Sequence, residues 1–393
     1  MRRRGTFRRV EPPPPGRSGL AESVAHPGRA ALEGVVRRLY DACPTWARAA
    51  GDGVGAGDEG GHVSEQASGR IIICIPIYDD WESAAQLIRR IDAALARLSL
   101  RADVVLVDDG SHEAPPARLA LRAEALAGVE VLRLRRNLGH QRAIAIGLSF
   151  IEEQRPCDSV VVMDGDGEDA PEDIGRLIER SQRLQQSPTG EGKPVIFAKR
   201  GRRFESAVFR LCYQAYKIVH RLLTGRAVEV GNFSVVPAEQ LRRLVGVSEM
   251  WNHYAASVYK ARIPCDLVPI DRRRRIAGRS KMNFAGLVTH GLSAISVFAD
   301  TVGVRLLLVN AALAALSVAG LTAVVLIRLF TRLAIPGWAT VAAGCLLIIL
   351  LQAFLMSLVF VFITLQGRQG STFLPVRDYR YFVHRVDRIE LDG

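Results

Sequence analysis

Apolar residues follow three different patterns along the 393-residue chain. From residue 70 to about residue 290, short continuous runs of Val, Ile and Leu alternate with longer segments in which apolar positions recur at helical spacing. Beyond residue 305, two long runs contain no charged residue. Before residue 70 the chain is rich in Arg, Pro and Gly and has no apolar period, so it is expected to remain disordered.

The alternation in the middle of the chain predicts a mostly parallel sheet covered by helices, because strands that are buried on both faces contain continuous apolar runs. Strands are predicted at "RIIICIPIYDD", "ADVVLVDDGSHE", "VEVLRLRRN" and "DSVVVMDGDGED". Helices are predicted at about Glu82 to Leu98, at Ala117 to Ala127, over "LGHQRAIAIGLSFIEEQ", and over residues 204–225. In such sheets ligands bind beyond the carboxyl ends of the strands.

The two charge-free runs predict membrane-spanning helices. The first runs between Arg305 and Arg328, and the second extends from Leu333 to Gly367. At about 1.5 Å per residue, each can cross about 30 Å of hydrocarbon. Arginines are more numerous in the flanking segments than in the short connecting loop, so the positive-inside rule predicts that both ends of this hairpin are cytoplasmic. We therefore expect a multi-pass inner-membrane protein whose globular domain and termini face the cytoplasm.

The three patterns divide the chain into six expected segments. They are a disordered N-terminal tail (1–69), a globular domain (70–290), an interfacial helix or linker (291–303), two transmembrane helices (304–331 and 337–366) and a basic cytoplasmic tail (367–393).

The charge of the chain narrows the choice of partners. With 52 Lys and Arg against 40 Asp and Glu, the formal net charge is +12, which suits nucleic acid, anionic lipid headgroups or phosphorylated substrates. The sequence contains no nucleic-acid-binding motif, so we expect a membrane with anionic headgroups and no nucleic acid. The six cysteines are scattered, without the spacing of a disulfide framework or a zinc site.

Acidic residues follow three of the predicted strands, although the chain is basic overall. Asp79 and Asp80 follow the first strand, Asp108 and Asp109 end the second, and "MDGDGED" at 163–169 ends the fourth. Carboxylates repel a phosphate unless a hard cation lies between them, and Mg²⁺ or Mn²⁺ commonly bridges one or two carboxylates to a diphosphate. A solvated acidic turn is the alternative for an isolated D-x-D, but the position at a strand end favours a site for Mg²⁺ or Mn²⁺.

Four segments in this order resemble the successive motifs of family 2 glycosyltransferases with the GT-A fold: "IPIYDD", "VDDGS", "RNLGHQRAIAIG" and "MDGDGEDAPEDI". They are most similar to the dolichol-phosphate mannosyltransferase-like, polyisoprenyl-phosphate glycosyltransferases of bacteria. The resemblance spans about 70–290. It implies an α/β fold of GT-A type, with a mostly parallel sheet flanked by helices, followed by a two-helix transmembrane hairpin. It also implies inverting transfer of a sugar from a nucleoside-diphosphate sugar to a polyisoprenyl phosphate.

The resemblance implies roles for individual residues. Contacts with the nucleotide-sugar are implied for Pro76, Tyr78, Asp80, Asp108, Asp109, Asn137, Asp164 and Ser280. Metal ligation is implied for Asp164, Asp166 and Glu168. The late motif "RRRRIAGRSKMNF" implies that Arg275 and Lys281, together with Asp166, stabilise the departing diphosphate. Glu168 stands where relatives have Gln, and Asn232 stands where relatives have Asp, which leaves the identity of the metal and the sugar open.

The chemistry of the acceptor removes the need for a dedicated base, since a phosphate monoester with a second pKa near ~6 is already anionic at neutral pH. Three alternatives are kept: transfer to another lipid or glycan acceptor, a non-catalytic membrane scaffold that retains the fold, and a processive synthase. The last is disfavoured because "QLRRL" at 240–244 lacks the Trp of the Q-x-x-R-W motif. The oligomeric state, monomer or homo-oligomer, stays open.

Overall fold

The structure is a computed structural model of the chain. It describes residues 70–116, 118–185, 193–200, 207–226, 230–271, 273, 275–276, 284–331, 337–369 and 373–392. The expected N-terminal tail and two of the expected site residues, Ser280 and Lys281, lie outside the described residues.

Nine strands form one sheet within the described part of the chain. They are β1 (Ile71–Ile77), β2 (Ala102–Asp108), β3 (Arg118–Arg122), β4 (Leu126–Leu134), β5 (Ser159–Val162), β6 (Val195–Arg200), β7 (Val230–Pro237), β8 (Cys265–Ile270) and β9 (Val383–Asp392). The helices are α1 (Trp81–Arg97), α2 (His140–Gln154), α3 (Ile174–Gln185), α4 (Ala207–Thr224), α5 (Ala238–Leu244), α6 (Tyr254–Lys260), α7 (Phe284–Ser296), α8 (Ala299–Phe330), α9 (Trp338–Gln369) and α10 (Pro375–Asp378).

The strand order is β3-β9-β4-β2-β1-β5-β7-β6-β8. The central strands β4, β2, β1 and β5 are mutually parallel, whereas β9 runs antiparallel to β4, and β7 runs antiparallel to β5 and β6. The prediction of a mostly parallel α/β sheet flanked by helices is confirmed.

The sequence of β1 explains why helices cover both faces of the sheet. All seven residues of this strand are buried. Alternate residues of a strand point to opposite faces. Ile71, Ile73 and Ile75 pack into a core with α1 and α3, and Ile72 and Cys74 pack into a second core with α2, α5 and α6.

The predicted helix at Ala117 to Ala127 is wrong. Within that range the structure has β3, a short loop and the start of β4. The segment "ARLALRAEALA" is rich in good helix formers, but β3 pairs with β9, with Arg118 opposite Glu390 and Leu119 opposite Leu391. Pairing with a strand more than 260 residues away outweighs local helix propensity, which is a weak preference.

The C-terminal segment is part of the sheet, although the sequence indicated only a basic tail there. Strand β9 pairs with β4 from Val129–Ile389 to Leu134–Val383. The preceding residues pack on α2, because Tyr379 and Arg380 both contact the carboxylate of Glu153. The rings of Trp251 and Phe373 also pack together, with centroids 3.9 Å apart.

Helices α8 and α9 are the two helices that are long and apolar enough to cross a membrane, among the residues described. Each has 32 residues. They pack against each other where Gly320 faces Leu346, while large side chains such as Leu316 and Phe354 are exposed, as lipid contact requires. Since α8 begins at Ala299, directly after α7, the helix extends several residues before the expected span of 304–331.

A buried carboxylate connects α1 to the start of β4. Asp92, 4% exposed, accepts hydrogen bonds from the backbone N–H groups of Glu124, Ala125 and Leu126. We expect Asp92→Ala to leave these donors without their acceptor and to lower the free energy of unfolding by about 3 kcal/mol. The measurement is the thermal and urea unfolding of the full chain in detergent.

Asp92→Asn is the matched control, since its amide keeps one acceptor oxygen, and we expect it to lose less stability than Asp92→Ala. An Asp92→Ala variant as stable as the wild type would show that this carboxylate does not hold the loop.

Candidate active site

The carboxyl ends of β2, β1 and β5 lie side by side and form one edge, called here the carboxyl edge. In the parallel register Ile77 is opposite Asp108, and Cys74 is opposite Val162. The acidic residues that follow these strands therefore meet, as predicted from the sequence.

The acids at the end of β2 are bonded within the protein. Asp108 is fully buried and accepts hydrogen bonds from Ser111 N at 2.9 Å and Arg133 Nε at 3.2 Å. Asp109 accepts hydrogen bonds from Leu138 N and Gly139 N at 2.7 and 2.8 Å, and burial raises its pKa to about 6. Both carboxylates hold the loops around the carboxyl edge. Their contact with a nucleotide-sugar stays a prediction.

The residues after β1 form a small cluster with His112. Asp79, at φ +47°, accepts a hydrogen bond from His112 N, and its other carboxylate oxygen lies 2.9 Å from His112 Nδ1. The Tyr78 ring lies 6.2 Å from the imidazole, centroid to centroid. Tyr78 and Asp80 are partly exposed here, whereas Pro76 is buried in β1 and contributes to the sheet.

The loop after β5 folds on itself. Asp166 Oδ1 accepts a hydrogen bond from Glu168 N at 3.0 Å, and buried Asp169 accepts one from Asp164 N at 3.2 Å. Gly167 has φ +72°, and a Cβ at this position would lie 2.1 Å from Cδ1 of Ile276. Only glycine fits both the backbone conformation and the close approach of Ile276.

The segment after β8 lies over this loop and brings Arg275 to the carboxyl edge. Arg273 N donates to Glu168 O, and Ile276 N donates to Asp166 O. The guanidinium of Arg275 lies between two carboxylates, with Nη2 3.6 Å from Asp166 Oδ2 and 3.9 Å from Asp80 Oδ2. Three residues that the sequence predicted for the site are thus brought together from three separate parts of the chain.

A second cluster holds Asp164. His140 Nε2 and Asn232 Nδ2 both lie 3.0 Å from Asp164 Oδ1. Gln141 donates to Asn232 Oδ1 at 3.1 Å and accepts a hydrogen bond from Tyr254 N at 2.8 Å. No role is predicted for His140 from the sequence, although its position directly after Gly139, at the start of the helix that follows β4, is a signal that could identify it.

The electrostatics of the edge favour added positive charge. Burial and the neighbouring Asp164 raise the pKa of Asp166 above its ordinary value, although Glu168 N–H and Arg275 oppose this. Desolvation would lower the pKa of His140, but Asp164, Asp166 and Asp109 outweigh it and raise that pKa. The neighbouring carboxylates contribute to both shifts, adding to the effect of burial at Asp166 and opposing it at His140.

The carboxylates at the end of β5 can be compared with the ligands that Mg²⁺ or Mn²⁺, the cations expected from the sequence, would need. Among the described residues, no group of three or more His, Cys, Asp or Glu side chains is placed to hold a metal ion by itself. Asp164 and Asp166 nevertheless fit a cation that keeps water and phosphate oxygens as its other ligands, as Mg²⁺ does. Glu168 as a third ligand stays a prediction, and so does the contact of Asn137, which is exposed beside the Gly110 turn.

Solved structures with partial similarity include two synthases. Mannosyl-3-phosphoglycerate synthase from Rubrobacter xylanophilus aligns at 16% identity with a TM-score of 0.40, over 58% of this chain and 72% of the other. Glucosyl-3-phosphoglycerate synthase from Mycobacterium tuberculosis, in complex with Mn²⁺, UDP-glucose and phosphoglyceric acid, aligns at 14% identity with a TM-score of 0.41, over 60% and 81% of the two chains.

Two sequence relatives are transferases of the same name. An undecaprenyl-phosphate 4-deoxy-4-formamido-L-arabinose transferase from Erwinia tasmaniensis is 32% identical over 167 residues, which cover 42% of this chain and about half (48%) of that protein. A transferase of the same name from Klebsiella pneumoniae is 29% identical over 334 residues, covering 81% of this chain and 94% of the relative. Residues 72–210 match the family model of glycosyl transferase family 2. Over residues 72–210, about a third of the chain, the sequence is therefore similar to glycosyl transferase family 2.

Proposed function

We propose that the protein is a membrane-bound, inverting glycosyltransferase that moves a sugar from a nucleoside-diphosphate sugar to a polyisoprenyl phosphate. The observation that carries this proposal is the guanidinium of Arg275 held between Asp80 and Asp166 at the carboxyl edge, in a domain joined to two membrane-spanning helices. The names of the relatives support undecaprenyl phosphate as the class of acceptor.

The donor nucleotide is assigned to the β1 side of the carboxyl edge. Tyr78 and Asp80 are partly exposed there, and the Asp79–His112 pair holds an imidazole beside the Tyr78 ring. The aromatic face and the hydrogen-bonding groups suit a nucleobase and its ribose. Asn137 and Ser280 are assigned to the same ligand by the family resemblance.

The diphosphate is assigned to the space between β5 and the segment after β8. Asp164 and Asp166, with Glu168 beside them, would hold Mg²⁺ or Mn²⁺, which neutralises the diphosphate and stabilises the charge of the leaving group. Arg275 is already at this place, at distances of 3.6 Å and 3.9 Å that are longer than a hydrogen bond. Its guanidinium can therefore turn from the carboxylates to a diphosphate oxygen without breaking a short ion pair.

The acceptor phosphate carries an anionic oxygen at neutral pH, so the residues of the site need only to align it behind the anomeric carbon. Attack of that oxygen forms the new C–O bond while the bond to the nucleoside diphosphate breaks, and the configuration inverts. Arg275, with Lys281 from the adjoining segment, stabilises the negative charge that develops on the leaving group.

The membrane-facing part of the protein is assigned to the hairpin and to two helices beside it. Helix α4 exposes Ile218, Val219 and Leu222 next to basic residues, which suits the headgroup layer of an anionic membrane. It is tied to the base of the hairpin, because Arg305 Nη1 donates to Leu222 O at 2.7 Å.

The connections of the hairpin to the sheet support an orientation in the membrane. Helix α8 leaves the globular domain after β8 and α7, and β9 returns to the same sheet after α9, so both ends of the hairpin lie on the side of the catalytic domain. The excess of Arg at these ends supports a cytoplasmic location for that side.

The proposal is tested by the transfer reaction. Purified full-length protein in detergent is given undecaprenyl or dolichyl phosphate and a panel of radiolabelled UDP- and GDP-sugars, with Mn²⁺, Mg²⁺ or EDTA. We expect label in the lipid phase that depends on the metal and falls about 100-fold or more in Asp166→Ala. Donor binding without lipid labelling by any sugar would point to another acceptor or to a scaffold, and would contradict the proposal.

Arg275 provides a second test. We expect Arg275→Ala to lower kcat/KM for the donor by about 100-fold, because a fixed positive charge next to the leaving group is lost. Arg275→Lys should keep part of the activity as a point charge. The matched control is Arg273→Ala, whose exposed side chain lies 3.7 Å from Glu172 at the surface and should change kcat/KM little. Equal effects of the two alanine variants would remove the role assigned to Arg275.

The orientation is tested with single-cysteine variants in a background without native cysteines. In spheroplasts we expect Gly337→Cys, in the loop between the spans, to react with a membrane-impermeant maleimide. Arg388→Cys, on β9, should react only after permeabilisation. The opposite pattern of labelling would reverse the assigned orientation.

A further inference from the structure

We propose that His140 and Asn232 are positioning residues of the transfer reaction: together they fix the carboxylate of Asp164, and this sets the affinity of the site for a divalent cation. The inference rests on the proposed function, because it takes Asp164 as a ligand of that cation.

The geometry around Asp164 is that of one acceptor atom with two donors. His140 Nε2, Asn232 Nδ2 and Asp164 Oδ1 lie at the corners of a triangle with sides of 3.0 Å. An imidazole nitrogen that carries hydrogen and an amide nitrogen can both donate to one carboxylate oxygen. Two bonds from different directions hold the carboxylate plane more firmly than one bond does.

The direction of the Asn232 amide follows from its neighbours. Tyr254 N donates to Gln141 Oε1, so the amide nitrogen of Gln141 points towards Asn232 Oδ1 and donates to it at 3.1 Å. The oxygen of Asn232 is used in this bond, and its nitrogen therefore faces Asp164. The backbone of α6 therefore fixes the amide of Gln141, and the amide of Gln141 fixes that of Asn232, which donates to Asp164.

The two amide side chains of this arrangement, Asn232 and Gln141, are buried. Asn232 is 6% exposed and Gln141 is 8% exposed, so water cannot readily substitute for either amide. Asn232 comes from β7, Gln141 and His140 come from α2, and Asp164 follows β5. Two separate elements, α2 and β7, thus each place a side chain on one oxygen of Asp164.

The hydrogen bond to Asp164 also accounts for an Asn at position 232. An Asp at this position would place a second carboxylate 3.0 Å from Asp164 Oδ1, with no hydrogen to donate when ionised. An Asn donates a hydrogen bond and adds no charge. The amide thus acts on the cation through Asp164, as partners of metal ligands commonly do, and the loss of such a partner typically lowers metal affinity by about 10- to 100-fold.

The experiment measures Mn²⁺ binding by the full-length protein in detergent, with Mn²⁺ alone as the probe and electron paramagnetic resonance of the free ion as the readout. We expect His140→Ala and Asn232→Ala each to weaken Mn²⁺ binding by about 10-fold or more. His140→Gln, which keeps an amide donor, should recover most of the affinity. Ser149→Ala, which removes a buried hydroxyl that bonds to Ala145 O in the same helix α2, should bind as the wild type does.

Steady-state kinetics separate positioning from direct contact with substrate. We expect the Mn²⁺ concentration for half-maximal rate to rise in both alanine variants, with kcat at saturating Mn²⁺ largely retained. Unchanged Mn²⁺ affinity in both variants would overturn the inference, and so would a loss of kcat at saturating Mn²⁺ with affinity intact, which would make His140 a substrate contact.

Failure of the inference can be distinguished from failure of the proposed function. Mn²⁺ binding that weakens in the variants supports the inference even if no sugar reaches a lipid phosphate. Conversely, wild-type protein that binds no Mn²⁺ but transfers sugar to the lipid would overturn the inference and leave the acceptor class standing. Thermal unfolding midpoints close to that of the wild type show that the alanine variants are folded.

Discussion

Parallel pairing of β1 with β2 and β5 brings the acidic ends of three strands to one edge of a sheet that is buried on both faces. Burial raises the pKa values of Asp109 and Asp166, and the repulsion between carboxylates so close to one another adds to this effect. The surrounding loops are arranged to offset this repulsion. The acids of the site differ in the partners that stabilise them.

The acids fall into two classes according to their partners. Asp108 and Asp109 have short hydrogen bonds, 2.7 to 3.2 Å, to a guanidinium and to backbone N–H groups, and so they hold the frame of the site. Asp166 has a guanidinium at the longer distance of 3.6 Å, which is the weaker pairing. A carboxylate with a raised pKa and a loosely held counter-charge would be stabilised by an added cation, which supports Asp166 as a proposed metal ligand.

The membrane hairpin is attached to the sheet at both of its ends. Strand β8 is one edge of the sheet, and β9 lies next to β3 at the other edge. The contact of Arg305 with Leu222, together with a hydrogen bond from Tyr216 to Gly291 O, joins α4 to α7 and α8. Such an attachment limits how far the domain can tilt relative to its own hairpin.

The sequence by itself determined the class of fold, the two membrane helices and the acids at the strand ends, because each depends on a local pattern: continuous apolar runs, long charge-free runs, and carboxylates that directly follow a strand. It also indicated the meeting of Asp80, Asp166 and Arg275, through motifs with a family likeness. Tertiary structure alone decided that "ARLALR" is a strand, that the basic C-terminal segment completes the sheet as β9, and that His140, Gln141 and Asn232 converge on Asp164. These outcomes depend on partners that are distant in the chain, such as Arg118 with Glu390 and Gln141 with Asn232, and local propensity carries no information about such pairs.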